Sequence, residues 1–282
     1  MPGRPSVGEI LSGLPPLREV IARHGIRATK ALGQNFLLDL NLTRKIARAG
    51  GELRGKTVLE IGAGPGGLTR ALLAEGAGHV VAVERDRRCL AALEELAAQA
   101  DGRLTLVAAD ALDVDERVLT PRPCRIIANL PYNISTPLLF KWLGRLDLFE
   151  HLVLMFQKEV AQRIVAAPGG KAYGRLSVMT QWRCRANALF DVPPRAFTPA
   201  PKVTSTIIGL EPRPEPLAAA RAEVLEAVVA AAFGQRRKML RSSLKQISAD
   251  PVALLTAAGL ETTLRAENLT VEEFCALARA FG

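Results

Sequence analysis

Short apolar runs alternate with longer mixed segments over the first half of the chain. Four runs of four to six residues, at 56–61, 79–83, 103–107 and 125–128, are rich in Val, Ile and Leu, which is typical of buried strands. Residues 68–75 and 89–99, which lie between these runs, are predicted helices. This alternation favours an α/β protein with a doubly wound parallel sheet.

A glycine-rich loop, Gly-Ala-Gly-Pro-Gly-Gly at residues 62–67, connects the first predicted strand to the first of these helices. Glycine allows positive φ and a close approach of a ligand to the backbone, and the start of the helix offers free N–H groups. The loop therefore predicts a nucleotide-binding turn. Its spacing also fits dinucleotide-binding proteins, so the loop alone leaves the kind of nucleotide open.

Two acidic residues follow later strands. Glu84 ends the second strand, 22 residues after Gly62, where a carboxylate is well placed to accept hydrogen bonds from two ribose hydroxyls. Asp110 follows the third strand. Either acid alone could be a solvated loop residue. Because the carboxyl ends of parallel strands meet at one edge of a sheet, we expect both acids to lie beside Gly62 and Gly64.

The segment Asn129-Leu130-Pro131-Tyr132 follows the fourth strand. Proline cannot donate to a sheet and disfavours a helical conformation in the preceding residue, so the strand must end here. The Asn129 side-chain oxygen and the Leu130 carbonyl can accept hydrogen bonds from an amino group, and Tyr132 can stack on a flat ring. This combination suits a planar heterocycle with an exocyclic amino group, such as adenine.

The second half of the chain contains a domain boundary. Residues 155–163 are predicted to pass from a strand into a helix, 169–175 to form a mobile basic loop with an aromatic residue, and 197–205 to be extended before a strand at 206–210. The proline-rich residues 211–216 predict a stiff linker. We therefore divide the chain into an N-terminal extension (1–27), a ligand-binding domain (28–210) and a small helical domain (211–282).

One predicted helix of the last domain is strongly basic. It carries five Lys or Arg residues and no acid within ten positions, among them Arg236, Arg237 and Lys238. Such a run can be a solvated helix face, and it can equally contact the backbone of a nucleic acid.

The distribution of charge favours a nucleic-acid partner over a charge that serves solubility alone. The net charge is +9, and residues 1–56 carry ten Lys/Arg against four Asp/Glu. Residues 57–150 carry ten against thirteen, and residues 151–210 carry eight against two. An acidic ligand-binding half between basic segments is expected of an enzyme that holds a cationic cofactor inside and a polyanion around its rim.

The composition argues against a membrane protein, a secreted protein and a metal-binding protein. No apolar run approaches the roughly 20 residues needed to span a bilayer, and the N-terminus has no apolar signal core. The four cysteines are far apart, without the spacing of metal ligands, so we expect reduced thiols and no metal site. These features predict a cytoplasmic protein that does not bind membranes, and we expect it to be a monomer.

Together, these motifs resemble those of the ribosomal RNA adenine dimethyltransferases, and the chain looks most like the KsgA/RsmA type that modifies small-subunit rRNA. The resemblance runs nearly from end to end. The segments that carry it are residues 32–37 (Leu-Gly-Gln-Asn-Phe-Leu), 60–66, 129–135, 157–159, 173–178, 197–203 and 233–244. It implies a Rossmann-like methyltransferase domain that uses S-adenosylmethionine, followed by a helical RNA-binding domain.

The resemblance also implies roles for individual residues. Asn35 and Leu37 would close over the methionine part of the cofactor, and Glu84 would hold its ribose. Asp110 would bind the adenine amino group. The implied cofactor site is Asn35, Leu37, Gly62, Gly64, Glu84, Asp110 and Asn129. The implied catalytic segment is Asn129, Leu130, Pro131 and Tyr132, and the implied RNA contacts are Tyr132, Phe197, Arg236, Arg237 and Lys238.

Family enzymes place two methyl groups on N6 of each of two adjacent adenosines in a hairpin loop near the 3′ end of small-subunit (16S) rRNA. The resemblance therefore implies a role in small-subunit biogenesis, with a ribosomal subunit or an assembly intermediate as partner.

The sequence is compatible with several alternative functions. An NAD-dependent dehydrogenase would explain the glycine loop and Glu84, but not Asp110, residues 129–132 or the basic flanks. A non-catalytic RNA-binding or ribosome-assembly factor could keep the same fold. Within the same chemistry, the chain could be a large-subunit methylase of the resistance type, a relative of the mitochondrial transcription factors, or a DNA adenine methylase.

Overall fold

The computed structural model of the chain describes residues 13–29, 33–121 and 123–282. The first twelve residues of the predicted N-terminal extension and Leu32, which begins the motif at 32–37, lie outside the described residues. The described part of the extension contains helix α1, Leu17–Arg23.

The described residues form nine strands and a central sheet. The strands are β1 Phe36–Leu37, β2 Thr57–Ile61, β3 His79–Glu84, β4 Leu104–Ala108, β5 Cys124–Ala128, β6 Phe149–Gln157, β7 Cys184–Val192, β8 Phe197–Thr198 and β9 Ser205–Pro212. Seven of them form one sheet in the order β4-β3-β2-β5-β6-β9-β7. Neighbours from β4 to β6 are parallel, and β9 runs antiparallel to β6. The predicted α/β fold is thus confirmed.

Helices connect the strands of this sheet and continue to the C-terminus. They are α2 Leu40–Ala49, α3 Gly67–Ala74, α4 Arg87–Ala97, α5 Glu116–Leu119, α6 Tyr132–Leu143, α7 Lys158–Val165, α8 Arg175–Arg183, α9 Ala222–Gly234, α10 Leu240–Ser243, α11 Pro251–Ala257 and α12 Val271–Phe281. Asp39 caps α2 by accepting from the backbone N–H groups of Asn41 and Leu42. None of the described helices is long and apolar enough to cross a membrane.

The central strands are apolar along their whole length because both faces of the sheet are covered. Val58, Val80 and Ile127 are each 0% exposed and belong to a single core with Leu72 of α3 and Leu93 of α4. Continuous rather than alternating apolar residues are typical of such doubly covered parallel strands. The core therefore fixes the ends of β2, β3 and β5, which carry the predicted site residues.

Contacts divide the chain into two compact units. One contains residues up to Lys158 together with 188–210, and the other contains 159–187 together with 211–282. The expected boundary after residue 210 coincides with one of these divisions, but residues 159–187 group with the C-terminal unit rather than with the expected domain 28–210. In that unit, α8 is anchored by Trp182, whose indole N–H donates to the Ala218 carbonyl at 2.8 Å. The predicted linker also starts later than expected, since β9 continues to Pro212.

One local prediction in the C-terminal unit was wrong. The basic run does not lie on one helix: α9 ends at Gly234, a turn follows, and α10 begins at Leu240. The helix ends because Gln235 leaves the helical conformation, with φ of −129° and ψ of 63°, and the Leu240 N–H then donates to the Leu264 carbonyl at 2.8 Å. Residues 169–174 form a loop, as expected, and Lys171 is exposed, but the Tyr173 side chain is 0% exposed and meets the Phe233 ring edge-on at 6.0 Å.

Candidate active site

One cavity lies at the carboxyl ends of β2, β3, β4 and β5, within the first unit. Its empty space, including its open mouth, is about 870 Å³. Ten residues predicted from the sequence line it, namely Asn35, Leu37, Gly62, Gly64, Glu84, Asp110, Asn129, Leu130, Pro131 and Tyr132. The structure therefore brings the predicted cofactor residues and the predicted catalytic segment together.

The glycine loop closes tightly against its neighbours. Gly62 and Gly64 have φ of +71° and +56°, conformations that other residues rarely adopt. A β-carbon on Gly62 would lie 3.2 Å from Pro131, and one on Gly64 would lie 3.3 Å from the Phe36 ring. Glycine is needed here both for the backbone conformation and for the space that the loop shares with β1 and with the start of α6.

Glu84 is held rigidly at the end of β3. Its side chain is 6% exposed, and its carboxylate accepts backbone N–H groups from Gly64, Arg85 and Asp86, each at 2.8 Å. Burial raises the pKa of Glu84, while these three N–H donors favour the ionised form and oppose that shift. The carboxylate is thus oriented before any ligand binds.

Glu60 is a second buried acid on the cavity wall, and sequence reasoning did not select it as a site residue. It is 1% exposed, and the Thr69 hydroxyl donates to its carboxylate at 2.6 Å. Burial raises the pKa of Glu60 to about 8. The signal in the sequence was an acid inside the otherwise apolar strand β2, where a charged side chain needs a partner.

Asp110 is paired with Arg85, another lining residue that the sequence reasoning missed. The Arg85 guanidinium donates to Asp110 Oδ2 at 2.5 Å, and the Leu112 N–H donates to Oδ1 at 3.0 Å. Both carboxylate oxygens therefore have a defined orientation at the end of β4.

Asn129 lies directly after β5, with its side-chain amide partly buried. Its Nδ2 donates to the backbone carbonyl of Asn35 at 3.2 Å. Because the amide nitrogen is used in this way, Oδ1 is the atom that can accept a hydrogen bond from a ligand. Pro131 then begins α6 as its N-cap residue, as expected for a proline that ends the strand.

Tyr132 is the first residue of α6, and its ring lines the cavity. Its hydroxyl is hydrogen-bonded to the hydroxyl of Ser205, the first residue of β9, at 2.6 Å. Burial raises the pKa of Tyr132. The phenol therefore fixes the ring in place, and the face of the ring is the part that can contact a ligand.

Phe197 and the basic residues are not brought to this cavity. Phe197 is 4% exposed, belongs to the core and pairs with Leu37 where β8 meets β1. Arg236 lies in the C-terminal unit, where it donates to the Lys171 carbonyl at 2.6 Å and pairs with Glu267 at 3.3 Å. Arg237 and Lys238 are exposed in the same unit. Their predicted roles in RNA binding remain predictions.

The charges on the cavity wall fit a cationic nucleoside better than a dinucleotide. The described lining residues include three carboxylates, those of Glu60, Glu84 and Asp110, and one guanidinium, that of Arg85. Two buried carboxylates with raised pKa values are stabilised by a nearby positive charge. A pyrophosphate would be repelled by them. The residues present therefore fit S-adenosylmethionine, which carries a sulfonium and an ammonium group.

The described residues contain no group of three His, Cys, Asp or Glu side chains that could hold a metal ion. The four cysteines are free and buried.

Comparison with models of protein families identifies the family of this chain. A family model described as "Ribosomal RNA adenine dimethylase" matches residues 25–281. The chain belongs to this family. The match includes the segment from Asn35 to Leu37, the glycine loop and residues 129–132, so the cavity lies inside the region that the family model covers.

Individual relatives agree with this placement. The chain is 63% identical over 268 residues to a Rhodospirillum rubrum protein named "Ribosomal RNA small subunit methyltransferase A", and the match covers 95% of this chain and 93% of the relative. Among solved structures, it is similar to a dimethyladenosine transferase from Plasmodium falciparum, with a TM-score of 0.73, 25% identity and coverage of 86% and 95%. It is also similar to the 23S rRNA methyltransferase ErmE, with a TM-score of 0.67, 28% identity and coverage of 88% and 99%.

Proposed function

We propose that the chain is an S-adenosylmethionine-dependent methyltransferase that dimethylates N6 of two adjacent adenosines in a hairpin loop near the 3′ end of small-subunit (16S) rRNA. The observation that carries the proposal is that the end of β5, with Asn129 and Tyr132, opens into the same cavity as the glycine loop and Glu84. This cavity belongs to a chain of the ribosomal RNA adenine dimethylase family.

Residues on three sides of the cavity would bind the cofactor, which supplies an electrophilic methyl group when bound. Asn35 and Leu37 would hold its methionine part, and the backbone at Gly62 and Gly64 permits the close approach that this requires. Glu84 would accept from the ribose hydroxyls and Asp110 from the adenine amino group. Burial raises the pKa of Glu60 to about 8, so Glu60 would add negative potential only in its ionised form, which a bound cation favours.

Asn129 would activate the target amino group. The lone pair of adenine N6 is delocalised into the ring, which makes the nitrogen a weak nucleophile. Hydrogen bonds from N6–H to Asn129 Oδ1 and to the Leu130 carbonyl favour a pyramidal nitrogen and stabilise the positive charge that develops on it. The bond from Asn129 Nδ2 to Asn35 supports this role, because it directs Oδ1 toward a ligand.

Tyr132 would stack on the target base, which must leave the RNA stack to be reached. This is easier in a loop than in a duplex, and each stacked base contributes about 1–3 kcal/mol. The hydrogen bond from the Tyr132 hydroxyl to Ser205 supports this proposal because it orders the ring beforehand. Stacking by Phe197 on the second face would require its buried ring to become exposed.

Small-subunit rRNA is favoured over large-subunit rRNA as the substrate. Identity is 63% to the small-subunit methyltransferase of R. rubrum and 28% to the 23S methyltransferase ErmE. We further propose that the enzyme acts as a cytoplasmic monomer on a ribosomal subunit or assembly intermediate. A non-catalytic assembly factor is disfavoured, because such a protein has no need of Asn129 in the proposed cofactor cavity.

The proposal can be tested with small ribosomal subunits from cells that lack this modification. The subunits are incubated with the protein and labelled S-adenosylmethionine, and the rRNA is digested to nucleosides. We expect labelled N6,N6-dimethyladenosine. Label in large subunits or DNA but not in small subunits would contradict the proposed substrate. An absence of label in every nucleic acid would contradict the proposed enzymatic function.

A further inference from the structure

Four residues form a closed ring of hydrogen bonds beside the cavity. The Thr29 N–H donates to Gln34 Oε1 at 2.9 Å, and Gln34 Nε2 donates to Asp86 Oδ2 at 2.9 Å. The Arg88 guanidinium donates to Asp86 Oδ2 at 2.6 Å and to the Thr29 hydroxyl at 2.9 Å. The ring links the segment before β1 to the turn between β3 and α4.

Both sides of the ring are adjacent to residues of the site. Gln34 immediately precedes Asn35, whose carbonyl accepts from the Asn129 amide. Asp86 follows Glu84 by two residues, and its N–H donates to Glu84 Oε1 at 2.8 Å. A displacement of the ring would therefore move the acceptor that orients Asn129, while Glu84 would keep its bonds to Gly64 and Arg85.

The segment around Asn35 is held differently on its two sides. After Asn35, β1 pairs with β8, and Phe36 packs against the glycine loop. Before Asn35, the Gln34 side chain supplies the hydrogen bonds to Thr29 and Asp86. The position of the Asn35 carbonyl thus depends on the Gln34 side chain on one side and on strand pairing on the other.

Glutamine suits position 34 because the side chain there must accept one hydrogen bond and donate another. Thr29 presents an N–H and Asp86 presents a carboxylate, so the residue between them needs one acceptor and one donor. Asp86 is ionised at neutral pH, since its hydrogen bonds with Arg88 and then Gln34 hold its pKa at about 2 against the opposing effect of burial. A glutamate at position 34 would place a second negative charge against it.

We infer that Gln34 is a positioning residue for methyl transfer, whose hydrogen bond to Asp86 holds the Asn35 carbonyl that orients the Asn129 amide. The inference rests on the proposed role of Asn129 in the function above. Gln34 itself is not expected to touch the reacting nitrogen, so its replacement should slow transfer while the cavity still binds an adenosyl ligand.

A reversal of the hydrogen bond tests this directly. Gln34→Glu creates the repulsion, and Asp86→Asn added to it removes the repulsion and offers an amide N–H to Glu at position 34. Because Arg88 then loses the acceptor Asp86 Oδ2, the double variant is compared with Asp86→Asn alone. Three quantities are measured for each variant: the turnover rate at saturating S-adenosylmethionine, the affinity for S-adenosylhomocysteine by calorimetry, and amide hydrogen exchange in peptides from residues 28–38. Melting temperatures report whether each variant is folded. Gln99→Glu is the matched control, because Gln99 is exposed and its side chain donates only to the Glu95 carbonyl among the described residues.

We expect Gln34→Glu to turn over at least about tenfold more slowly and to exchange faster at residues 33–37, because a buried hydrogen bond to a charged group is replaced by repulsion. The double variant should recover both quantities at least to the level of Asp86→Asn alone. A normal rate and exchange in Gln34→Glu, or a folded double variant without recovery, would overturn the inference.

Gln34→Asn provides a second test in case the glutamate variant does not fold. Its shorter side chain cannot span both partners and adds no charge, so we expect slower turnover and faster exchange. Normal values in this variant would also overturn the inference. If the unmodified protein transfers no methyl group, the proposed function fails instead, and the exchange data still report independently on the ring.

Discussion

The side-chain amide of Asn129 and the backbone carbonyl of Asn35 are joined by a hydrogen bond of 3.2 Å across 94 positions of sequence. This contact connects the end of β5 with the segment that precedes β1. It orients the Asn129 amide, in which the oxygen remains available to accept the proposed hydrogen bond from a substrate amino group.

Asn129→Ala should lower methyl transfer to small-subunit rRNA by at least about 100-fold, because it removes an acceptor that acts on the charge developing at N6. Binding of S-adenosylhomocysteine, measured by calorimetry, should remain within a few-fold of the original value. Asn187→Ala, at an exposed position of β7, is the control and should retain full activity. Full activity in Asn129→Ala would contradict the assigned role.

Tyr132→Phe and Tyr132→Ala should separate the ring from the hydroxyl. The phenylalanine variant keeps the stacking face and loses the bond to Ser205, so we expect activity within about fivefold of the original, in line with one net hydrogen bond. The alanine variant can no longer stack on the base and should raise KM for RNA by a factor corresponding to about 1–3 kcal/mol. Equal effects of the two substitutions would argue against stacking.

The buried Glu60 should make the ligand-free protein less stable as the pH rises. Its pKa is raised in the folded state to about 8, above the ordinary value of 4.5. Protonation therefore favours folding, and this stabilisation is lost between about pH 4.5 and pH 8, at no more than about 1.4 kcal/mol per pH unit.

Denaturant titrations of Glu60→Gln and of the original protein should show this difference in the free energy of unfolding. Because glutamine stays neutral, the free energy of unfolding of Glu60→Gln should exceed that of the original protein increasingly from pH 5 to pH 8. Glu94→Gln, at an exposed position, should follow the original protein at every pH. A constant difference across the range would rule out a titration of Glu60 in this window.

The basic turn after α9 should divide into structural and RNA-binding residues. Arg236 is bonded within its own unit to the Lys171 carbonyl and to Glu267, so Arg236→Ala should reduce stability by about 1 kcal/mol. Arg237 and Lys238 are exposed, and their replacement by alanine should leave the melting temperature unchanged.

For the double variant at Arg237 and Lys238, we expect weaker binding to small-subunit rRNA. The slope of log affinity against log salt concentration should become shallower by about one for each RNA phosphate that is no longer neutralised. Binding with an unchanged slope would show that these two residues do not contact RNA phosphates.

The site residues that could be predicted from the sequence are those whose positions follow from their immediate neighbours in the sequence. Glu84, Asp110 and Asn129 each follow an apolar run directly, and the geometry of a parallel sheet brings such positions together whatever the rest of the chain does. The glycine loop has its own local signature. These features identified the cavity and ten of the residues that line it.

The parts that were missed depend on contacts between distant segments. The burial of Phe197 follows from the pairing of β8 with β1, some 160 residues earlier, and the position of Arg236 follows from Glu267. No periodic pattern of apolar residues in the sequence indicates either of these long-range contacts. Glu60 was overlooked for another reason, since its buried partner Thr69 lies on the following helix and a single acid hardly changes the pattern of an apolar strand.

The pairing of β1 with β8 bears on how the protein matures. Asn35 and Tyr132 line the cavity, but β8 and Ser205, which hold their neighbourhood in place, are synthesised much later. A nascent chain that ends before residue 205 has the glycine loop and Glu84 without these late supports. The affinity for the cofactor should therefore arise in a late step, once about three quarters of the chain has left the ribosome that produces it.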